Sequence, residues 1–353
     1  MGKVIRVLVV DDSAMVRDIL AQGLSMDPFI EVVGTAADPY IARDLIVKHK
    51  PNVLTLDVEM PRMDGVEFLR KLMPQYPIPV VMVSALTEKG KKITLDALEA
   101  GAVDFVTKPG MDVARGLNAM LMELRTKVKI ASTANVSHWK HKRVHRRSAS
   151  EAFSTALAES THKVIAIGAS TGGTEAIRAV ITSLPAIAPG VVIVQHMPPG
   201  YTKMFSDRMN SLCPMEVKEA EDGDRVMPGR ILIAPGGMQM QLFRSGGIYQ
   251  VECREGKKVS GHCPSVDVLM HSVARHVGPN AVGVMLTGMG SDGAEGMKAM
   301  RDAGGRTIAQ DRESCVVFGM PKAAFELGGA ESLVPLEAIA RTVMKLLSGT
   351  ELT

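Results

Sequence analysis

Val164-Ile-Ala-Ile-Gly-Ala-Ser-Thr-Gly-Gly173 joins an apolar run typical of a buried strand to a helical pattern between Thr174 and Leu184. Strands that feed helices through short glycine-rich turns are the units of α/β sheets, so this stretch indicates that fold class. Such a turn also gathers unpaired backbone N–H groups around one exposed side chain, that of Ser170. The stretch therefore predicts both a fold and a candidate reactive residue.

Two chemical interpretations of this turn predict different functions. As Gly-x-Ser-x-Gly it is a nucleophile elbow, in which Ser170 attacks and loop N–H groups such as those of Thr171 and Gly172 form an oxyanion hole. A dinucleotide loop would need glycine in place of Ser170 and an acid after the next strand, where His196 follows Gln195. A P-loop would need lysine directly after the glycines. The nucleophile elbow is therefore favoured.

His196 and Asp292 are the candidate partners of Ser170. His196 follows an apolar strand candidate, where its imidazole can take the serine proton. A lone strand-end histidine is more often structural, but a reactive serine in the same sheet reverses that preference. Asp292 follows another strand candidate and can orient the histidine, although an Asp-Gly turn or a helix N-cap explains it equally well by itself. The backbone N–H of Met289 is a further candidate for the oxyanion hole.

The chain order serine, histidine, aspartate differs from the serine, aspartate, histidine order of α/β-hydrolases. This difference argues against that fold and leaves the chemistry open, because the same geometry has arisen on unrelated folds. Other histidines are weaker candidates. His271 and His276 lie on a predicted helix and are expected on the surface or in packing contacts, whereas His262 lies in an irregular stretch that is a candidate for lining a pocket.

The first half alternates five apolar runs with five helical patterns, which predicts a doubly wound parallel sheet of the (βα)5, flavodoxin-like type over residues 1–125. Its strand ends are polar: Asp11, Asp12, Asp57, Ser84 and Lys108. Three converging carboxylates need positive charge, so we expect Mg²⁺ there with Lys108 as a second counter-charge. A carboxylate beside Mg²⁺ can form an aspartyl-phosphate, whose oxygens the Ser84 hydroxyl can bond. The alternative is that these aspartates only cap helices.

The second half, residues 160–353, predicts another doubly wound α/β sheet, mostly parallel, with an antiparallel hairpin over Ser245-Gly-Gly247. Its strand candidates are Val164–Ile167, Val191–Gln195, Arg230–Ala234, Ile248–Glu252, Ala281–Thr287, Arg306–Gln310 and Cys315–Phe318. Residues 126–159 lose this periodicity and carry a run of lysines and arginines. We interpret 126–159 as a basic flexible linker, or else as a docking segment for an acidic partner with Trp139 as an anchor.

The composition limits the classes of protein that the chain can represent. Its 353 residues are enough for two domains, and a net charge of +3 gives no indication of nucleic acid as a partner. The four cysteines form no C-x-x-C pair, which favours a reducing compartment. No apolar run reaches the roughly 20 residues of a membrane span. We therefore expect a cytoplasmic protein, without membrane insertion and without nucleic acid among its partners.

The first half resembles the receiver domains of two-component response regulators. The resemblance rests on Asp11-Asp12, Leu56-Asp-Val-Glu-Met-Pro61, Asp64-Gly65, Ser84-Ala85 and Thr107-Lys-Pro109. It implies that a histidine kinase donates a phosphoryl group to Asp57. It also implies an acidic pocket of Asp11, Asp12 and Asp57 in which Mg²⁺ is bound with the backbone carbonyl of Glu59.

The second half resembles the catalytic domain of the CheB family of chemotaxis protein-glutamate methylesterases. The resemblance rests on Ile167-Gly-Ala-Ser-Thr-Gly-Gly-Thr174, Gln195-His-Met-Pro-Pro199, Pro264-Ser-Val-Asp267 and Leu286-Thr-Gly-Met-Gly-Ser-Asp-Gly293. It implies hydrolysis of glutamate γ-methyl esters on methyl-accepting chemoreceptors, with release of methanol, and deamidation of certain receptor glutamines. Ser170 is then the nucleophile, His196 the base and Asp292 its orienting acid, with no cofactor in this domain.

The resemblance also implies a link between the two halves: the unphosphorylated receiver packs over the catalytic face, and phosphorylation at Asp57 loosens it. A rival class is a response regulator whose second half is a scaffold or DNA-binding output. The absence of a helix-turn-helix pattern and the presence of all three candidate residues argue against that class.

Overall fold

The computed structural model describes residues 4–85, 87–109, 113–137, 139 and 162–349. Contacts divide the chain into two compact units, Met1–Arg146 and Arg147–Thr353. The first unit carries one sheet and the second carries two, and each unit buries its own apolar residues.

The first unit alternates strands and helices: β1 Ile5–Val10, α1 Ala14–Ser25, β2 Ile30–Ala36, α2 Pro39–His49, β3 Val53–Asp57, α3 Gly65–Leu72, β4 Val80–Ser84, α4 Glu88–Glu99, β5 Asp104–Thr107 and α5 Val113–Ala131. Its strands are parallel and lie in the order β2-β1-β3-β4-β5. This is the flavodoxin-like order and confirms the predicted fold class. β3 and β4 are buried along their whole length and end at Asp57 and Ser84, two of the predicted polar residues.

Polar side chains begin four of these helices. Ser13, Asp38, Asp64 and Thr87 each accept a hydrogen bond from a backbone N–H in the first turn of the following helix. Such caps are typically worth about 0.5–2 kcal/mol of stability. The N-caps of α1 and α3 are Ser13 and Asp64, so the strand-end residues Asp11, Asp12 and Asp57 are not helix N-caps.

Helix α5 continues past residue 126 into the segment interpreted as a basic linker. Two lysines of that segment form ion pairs within the first unit: Lys127 pairs with Asp104, and Lys129 pairs with Asp27. Trp139 lies against Gly101, where an added Cβ would come within 2.9 Å of the indole. The remaining basic residues of the segment lie outside the described residues, and the domain bounds stay a prediction.

The second unit contains β6 Val164–Ala169, α6 Gly173–Ile181, β7 Gly190–Gln195, α7 Tyr201–Asn210, β8 Glu216–Glu219, β9 Arg225–Val226, β10 Arg230–Ile233, β11 Gln239–Ser245, β12 Ile248–Arg254, α8 Val266–His276, β13 Ala281–Met285, α9 Ala294–Asp302, β14 Arg306–Gln310, α10 Met320–Glu326, β15 Ser332–Val334 and α11 Leu336–Leu347. Seven strands form a parallel sheet in the order β15-β14-β13-β6-β7-β10-β8. A separate antiparallel sheet has the order β11-β12-β9, and Ser245 pairs with Ile248 across its hairpin. The doubly wound sheet and the hairpin are both confirmed.

Cys315–Phe318 is not a strand, so that part of the strand prediction is wrong. The preceding strand β14 already pairs with β13 on one side and β15 on the other, so the run cannot pair with β14. Instead, Val317 donates its backbone N–H to Thr287 Oγ1 at 2.9 Å, and Phe318 makes an isolated bridge with Gly288. An apolar run indicates that a segment is buried, but it does not distinguish a strand from a buried loop. The short strands β8, β9 and β15 are missing from the strand candidates.

Helix α8 lies in the core of the second unit. It packs against α9 and β11 and contacts β6. Its side chains Val266, Leu269, Met270 and Val273 are fully buried, and burial of residues of this size contributes about 1.5–3 kcal/mol each. This packing fixes the position of the N-terminus of α8.

Among the helices that the structure describes, none combines the length and the apolar character that a bilayer crossing requires.

Candidate active site

Three adjacent strands of the second sheet end at one edge. β6 lies between β13 and β7, with Gly168 opposite Met285 and Ala169 opposite Gln195. Ser170 follows β6, His196 follows β7, and Asp292 lies in the loop after β13. After β6 the chain forms β7 on one side of β6, and a later part of the chain forms β13 on the other side. The three predicted residues therefore lie at the switch point of the sheet, where α/β proteins bind ligands.

Hydrogen bonds on both sides hold the turn that carries Ser170. Its backbone N–H donates to the carbonyl of Thr287 at 3.0 Å, and its carbonyl accepts the N–H of Gly173 at 2.7 Å. Gln195 Nε2 donates to the same carbonyl at 2.9 Å. The Ser170 side chain is half-buried. The backbone at the nucleophile candidate is thus fixed while its side chain stays accessible.

Two glycines allow this close packing. Gly172 has φ +78°, a left-handed conformation that other residues adopt at a cost, and a Cβ there would lie 2.6 Å from Val316. A Cβ on Gly288 would lie 2.8 Å from the Cβ of Ser170. The predicted oxyanion candidates lie on the same two loops, since Thr171 follows Ser170 and Met289 follows Gly288.

The imidazole of His196 is held by one polar contact. Nε2 lies 2.8 Å from Asp292 Oδ2, and because a carboxylate can only accept, the proton of the neutral ring is placed on Nε2. Nδ1 is buried and makes no hydrogen bond with any described residue. Ser170 Oγ is therefore not hydrogen-bonded to Nδ1, and such contacts often tighten only when substrate binds. The unprotonated Nδ1 is the ring atom that can accept a proton.

Asp292 is held by the N-terminus of α8. Oδ1 accepts the Ser265 hydroxyl at 2.7 Å, and Oδ2 accepts the backbone N–H of Val266 at 2.7 Å. Burial raises the pKa of Asp292, but hydrogen bonds from His196, Ser265 and Val266 outweigh burial and leave the pKa below its ordinary value. The N-cap position of the following helix α9 belongs to Gly293. Asp292 is therefore a buried carboxylate that is hydrogen-bonded to His196. It does lie in an Asp-Gly turn, as one alternative interpretation held, but it is not the N-cap of α9.

His262 covers one face of His196. The two ring centroids lie 3.6 Å apart and the ring planes differ by 6°. Burial, followed by the neighbouring His196, lowers the pKa of His262 to about 4. His262 was expected only to line a pocket, and the structure places its ring in direct contact with the candidate base, His196. His271 and His276 lie on α8, and His271 is exposed.

Sequence reasoning missed three residues that shape this site. Gln195 and Thr287 anchor the Ser170 turn, and Ser265 binds Asp292. Ser265 was identifiable as a helix N-cap from its place before an apolar helical run. Its contact with Asp292 was not, because that contact depends on how α8 packs beside the loop after β13.

In the first unit, the predicted acidic pocket forms at the carboxyl edge of the sheet. Carboxylate oxygens of Asp11, Asp12 and Asp57 lie within 4.8 Å of one another. Lys108 Nζ lies 2.9 Å from Asp11 Oδ2 and 2.9 Å from Asp57 Oδ1. Glu59 also lines this pocket, whose volume is about 570 Å³.

The donor set of this pocket fits a hard divalent cation. Carboxylate and carbonyl oxygens are the ligands that Mg²⁺ prefers, and one lysine leaves three carboxylates incompletely neutralised. Burial, together with Asp11 and against the opposing effect of Lys108, raises the pKa of Asp57 to about 6. A bound cation would supply the missing positive charge beside Asp57.

The Ser84 hydroxyl is engaged with α4. Ser84 Oγ lies 2.7 Å from Thr94 Oγ1 and 3.3 Å from the carbonyls of Ala85 and Gly90. Thr94 Oγ1 also lies 2.7 Å from the Gly90 carbonyl, so the two hydroxyls and that carbonyl form one hydrogen-bonded cluster. Both side chains are fully buried. A bond from Ser84 to a phosphoryl group on Asp57 would therefore replace these contacts.

These observations define a class of protein: an acidic receiver-type pocket in one α/β unit, and a Ser170, His196 and Asp292 cluster typical of serine hydrolases in a second. Comparison with protein families agrees. A response regulator receiver domain model matches residues 7–120, and a CheB methylesterase model matches residues 165–343. The chain therefore belongs to the CheB methylesterase family.

Relatives of similar length match almost the whole chain. A protein-glutamate methylesterase/protein-glutamine glutaminase of Syntrophotalea carbinolica is 70% identical over 349 residues, which cover 99% of each chain. A protein of the same name from Salmonella typhimurium is 53% identical over 98% of this chain and 97% of its own. The crystal structure of the Thermotoga maritima CheB methylesterase catalytic domain is 39% identical, with a TM-score of 0.52, and covers 53% of this chain and 99% of that domain.

Proposed function

We propose that this protein is a phosphorylation-regulated serine hydrolase of bacterial chemotaxis. It demethylates glutamate γ-methyl esters on chemoreceptors, releasing methanol, and deamidates specific receptor glutamines. The observation that carries this proposal is the buried His196–Asp292 pair at the strand ends beside the Ser170 turn. Family membership supplies the substrate class, and the geometry supplies a mechanism for it.

In the first half-reaction Ser170 Oγ attacks the ester carbonyl carbon while His196 Nδ1 takes the hydroxyl proton. The backbone N–H groups of Thr171, Gly172 and Met289 are our candidates for holding the developing oxyanion. Collapse of the tetrahedral intermediate breaks the bond to the methoxy oxygen, which leaves as methanol with the proton from His196. A glutamine substrate follows the same path and loses ammonia.

In the second half-reaction a water molecule attacks the glutamyl ester on Ser170, again with His196 as base. The glutamate carboxylate and the free serine are then restored. Asp292 acts throughout by orienting the ring and by stabilising the imidazolium that forms. Its lowered pKa keeps it ionised at neutral pH, as this role requires.

In the first unit, Asp57 accepts a phosphoryl group from a chemotaxis histidine kinase through one of its carboxylate oxygens. Mg²⁺ held by Asp11, Asp12, Asp57 and the backbone carbonyl of Glu59 would offset the phosphoryl charge. Lys108 Nζ, which lies 2.9 Å from Asp57 Oδ1, supplies a further positive charge. Ser84 then exchanges its contacts with α4 for a phosphoryl oxygen.

Phosphorylation is proposed to relieve a restraint that the receiver places on the hydrolase. The partners of the protein are then a kinase, methylated chemoreceptors and its own other half. We place the protein in the cytoplasm, where it can contact the kinase and the receptor glutamates. The catalytic domain is proposed to need no cofactor.

Labelling with a serine-directed electrophile tests the assignment of the nucleophile. The modified peptide should contain Ser170, and Ser170→Ala should abolish labelling and lower methanol release from methylated receptors by on the order of 10³-fold or more. His196→Ala should cost a similar factor, because each residue acts only within the unit. The exposed Ser183 provides a matched control, and Ser183→Ala should change neither readout. A folded Ser170→Ala protein with near-normal activity would show that the assignment is wrong.

The same experiment separates this proposal from the rival class. A receiver joined to a scaffold or a DNA-binding output would release no methanol and would not be labelled at Ser170.

A further inference from the structure

We propose that His262 is a positioning residue for the hydrolase reaction: its ring lies flat on His196 and holds the imidazole at the tilt that proton transfer with Ser170 needs. This inference rests on the proposed function, because it takes His196 as the base. Neither the predicted triad nor the predicted oxyanion hole includes His262.

The need for such a residue follows from how His196 is held. Its ring has a polar anchor at Nε2, whereas Nδ1 has no hydrogen-bond partner among the described residues. The torsion that turns a histidine ring is broad, so a single hydrogen bond leaves the tilt of the ring poorly determined. A parallel ring at 3.6 Å, close to van der Waals contact, removes that freedom. It also shields one face of His196, whose side chain is only 8% exposed.

His262 is itself held by its backbone. His262 and Val259 exchange two backbone hydrogen bonds of 2.9 Å each. Gln239 Nε2 donates to the carbonyl of His262 at 3.2 Å, while Gln239 Oε1 accepts the N–H of Ser265 at 2.8 Å. Since Ser265 also binds Asp292, one scaffold holds both the acid that anchors His196 and the ring that covers it.

The charge state of His262 suits this role. A cation beside His196 would oppose formation of the imidazolium, whereas a neutral aromatic ring offers its π face to a cation. Burial is the main reason that His262 stays neutral at neutral pH, and His196 and Lys258 act in the same direction against the opposing effect of Asp292. His262 can therefore stack on the base without adding charge to it.

Substitutions that separate ring shape from ring chemistry test this proposal in the full-length protein. His262→Phe keeps a flat ring without nitrogen atoms, His262→Leu keeps apolar volume without a flat ring, and His262→Ala keeps neither. Each protein is treated with the same saturating phosphodonor. Methanol release from methylated receptor membranes then gives kcat and KM, and the electrophile gives the rate of Ser170 labelling.

We expect His262→Leu and His262→Ala to lower kcat by about 10- to 100-fold, the range that a misplacement near 1 Å can cause. KM should change little, and Ser170 labelling should slow by the same factor as kcat. His262→Phe should restore both rates to nearly the wild-type values. The exposed His271 on α8 is the matched control, and neither His271→Phe nor His271→Ala should change any of these rates.

Two results would overturn the proposal. Equal losses in the Phe and Leu variants would mean that a ring nitrogen is needed and that stacking is not the role. Wild-type rates in the Leu variant would mean that His262 does not act on His196. The Phe and Leu comparison decides the question even if His262→Ala does not fold. Labelling of wild-type protein at a residue other than Ser170 would instead refute the proposed function.

Discussion

Asp292 Oδ2 accepts the backbone N–H of Val266 at 2.7 Å, so the first turn of α8 holds the same oxygen that binds the imidazole of His196. Helix N-termini favour negative charge, because their N–H groups lack partners within the helix and the helix dipole is positive there. The orientation of the base and the start of a core helix therefore depend on one carboxylate. Changes at Asp292 are expected to affect activity and stability together.

Asp292→Asn keeps the shape of the side chain and removes its charge. An amide can donate to Nε2 of His196 and so favour the wrong tautomer, and we expect kcat to fall by roughly 10³- to 10⁴-fold. Thermal unfolding should show a loss of about 1–3 kcal/mol, because the buried N–H of Val266 then faces an amide NH₂ and loses its acceptor. The exposed Asp302 is the control, and Asp302→Asn should leave kcat unchanged. A near-normal kcat for Asp292→Asn would contradict the role of Asp292.

His262 should remain neutral across the physiological range. Burial lowers its pKa to about 4 from the ordinary 6.5, so in an NMR titration its Cε1–H resonance should show no midpoint near pH 6.5 and should move only as the pH approaches 4. In that window the unfolded chain binds a proton that the folded chain does not. Acidification from pH 6.5 toward 4 should therefore reduce the free energy of unfolding, and His262→Phe should make that decrease smaller. A midpoint near 6.5 in the folded protein would show that His262 is not buried as described.

The hydrolase half is expected to be more active alone than in the unphosphorylated chain. A solved CheB methylesterase catalytic domain, which is similar to this half of the chain, shows that such a domain folds by itself. A fragment from roughly residue 155 onward should release methanol faster than the intact protein, and a small-molecule phosphodonor should stimulate only the intact protein. Asp57→Asn should abolish that stimulation. An intact chain that is as fast as the fragment and indifferent to the phosphodonor would exclude restraint by the receiver.

Thr94 is expected to oppose activation, because it holds Ser84 on α4 through a 2.7 Å hydrogen bond. Thr94→Val removes the hydroxyl that contacts Ser84, with little change of volume. A hydrogen bond is worth about 0.5–1.5 kcal/mol, so half-maximal activation should need roughly 2- to 10-fold less phosphodonor. Thr94→Ser retains a hydroxyl and should behave like the wild type. An unchanged or higher requirement in Thr94→Val would mean that the Ser84–Thr94 bond does not favour the inactive state.

The sequence was sufficient to predict the two α/β sheets and the elements that carry the candidate residues. Ser170, His196 and Asp292 could be found because each follows an apolar run, and the carboxyl ends of parallel strands meet at one edge. The apolar run Cys315–Phe318 misled the strand prediction, since its burial comes from contacts with the loop at Thr287. The local sequence pattern indicates how apolar a segment is. Whether that segment becomes a strand depends on which strands it can pair with in the folded sheet.

The contact between His262 and His196 was beyond prediction for a different reason. His262 lies in an irregular stretch without periodicity, and its place is set by Gln239 and by the paired backbone of Val259. These contacts join segments that are distant in sequence, and no spacing rule relates them. The same holds for the bond between Ser265 and Asp292.

The negative charge on Asp292 also affects the release of the product. The substrate enters as a neutral ester or amide and leaves as a glutamate anion, while the hydrogen bonds from α8 keep Asp292 negative throughout. Two like charges at the same strand-end edge repel one another, and the repulsion begins only when the reaction is complete. The helix terminus that holds Asp292 thus favours expulsion of the demethylated side chain, and we expect demethylated receptors to be weak product inhibitors.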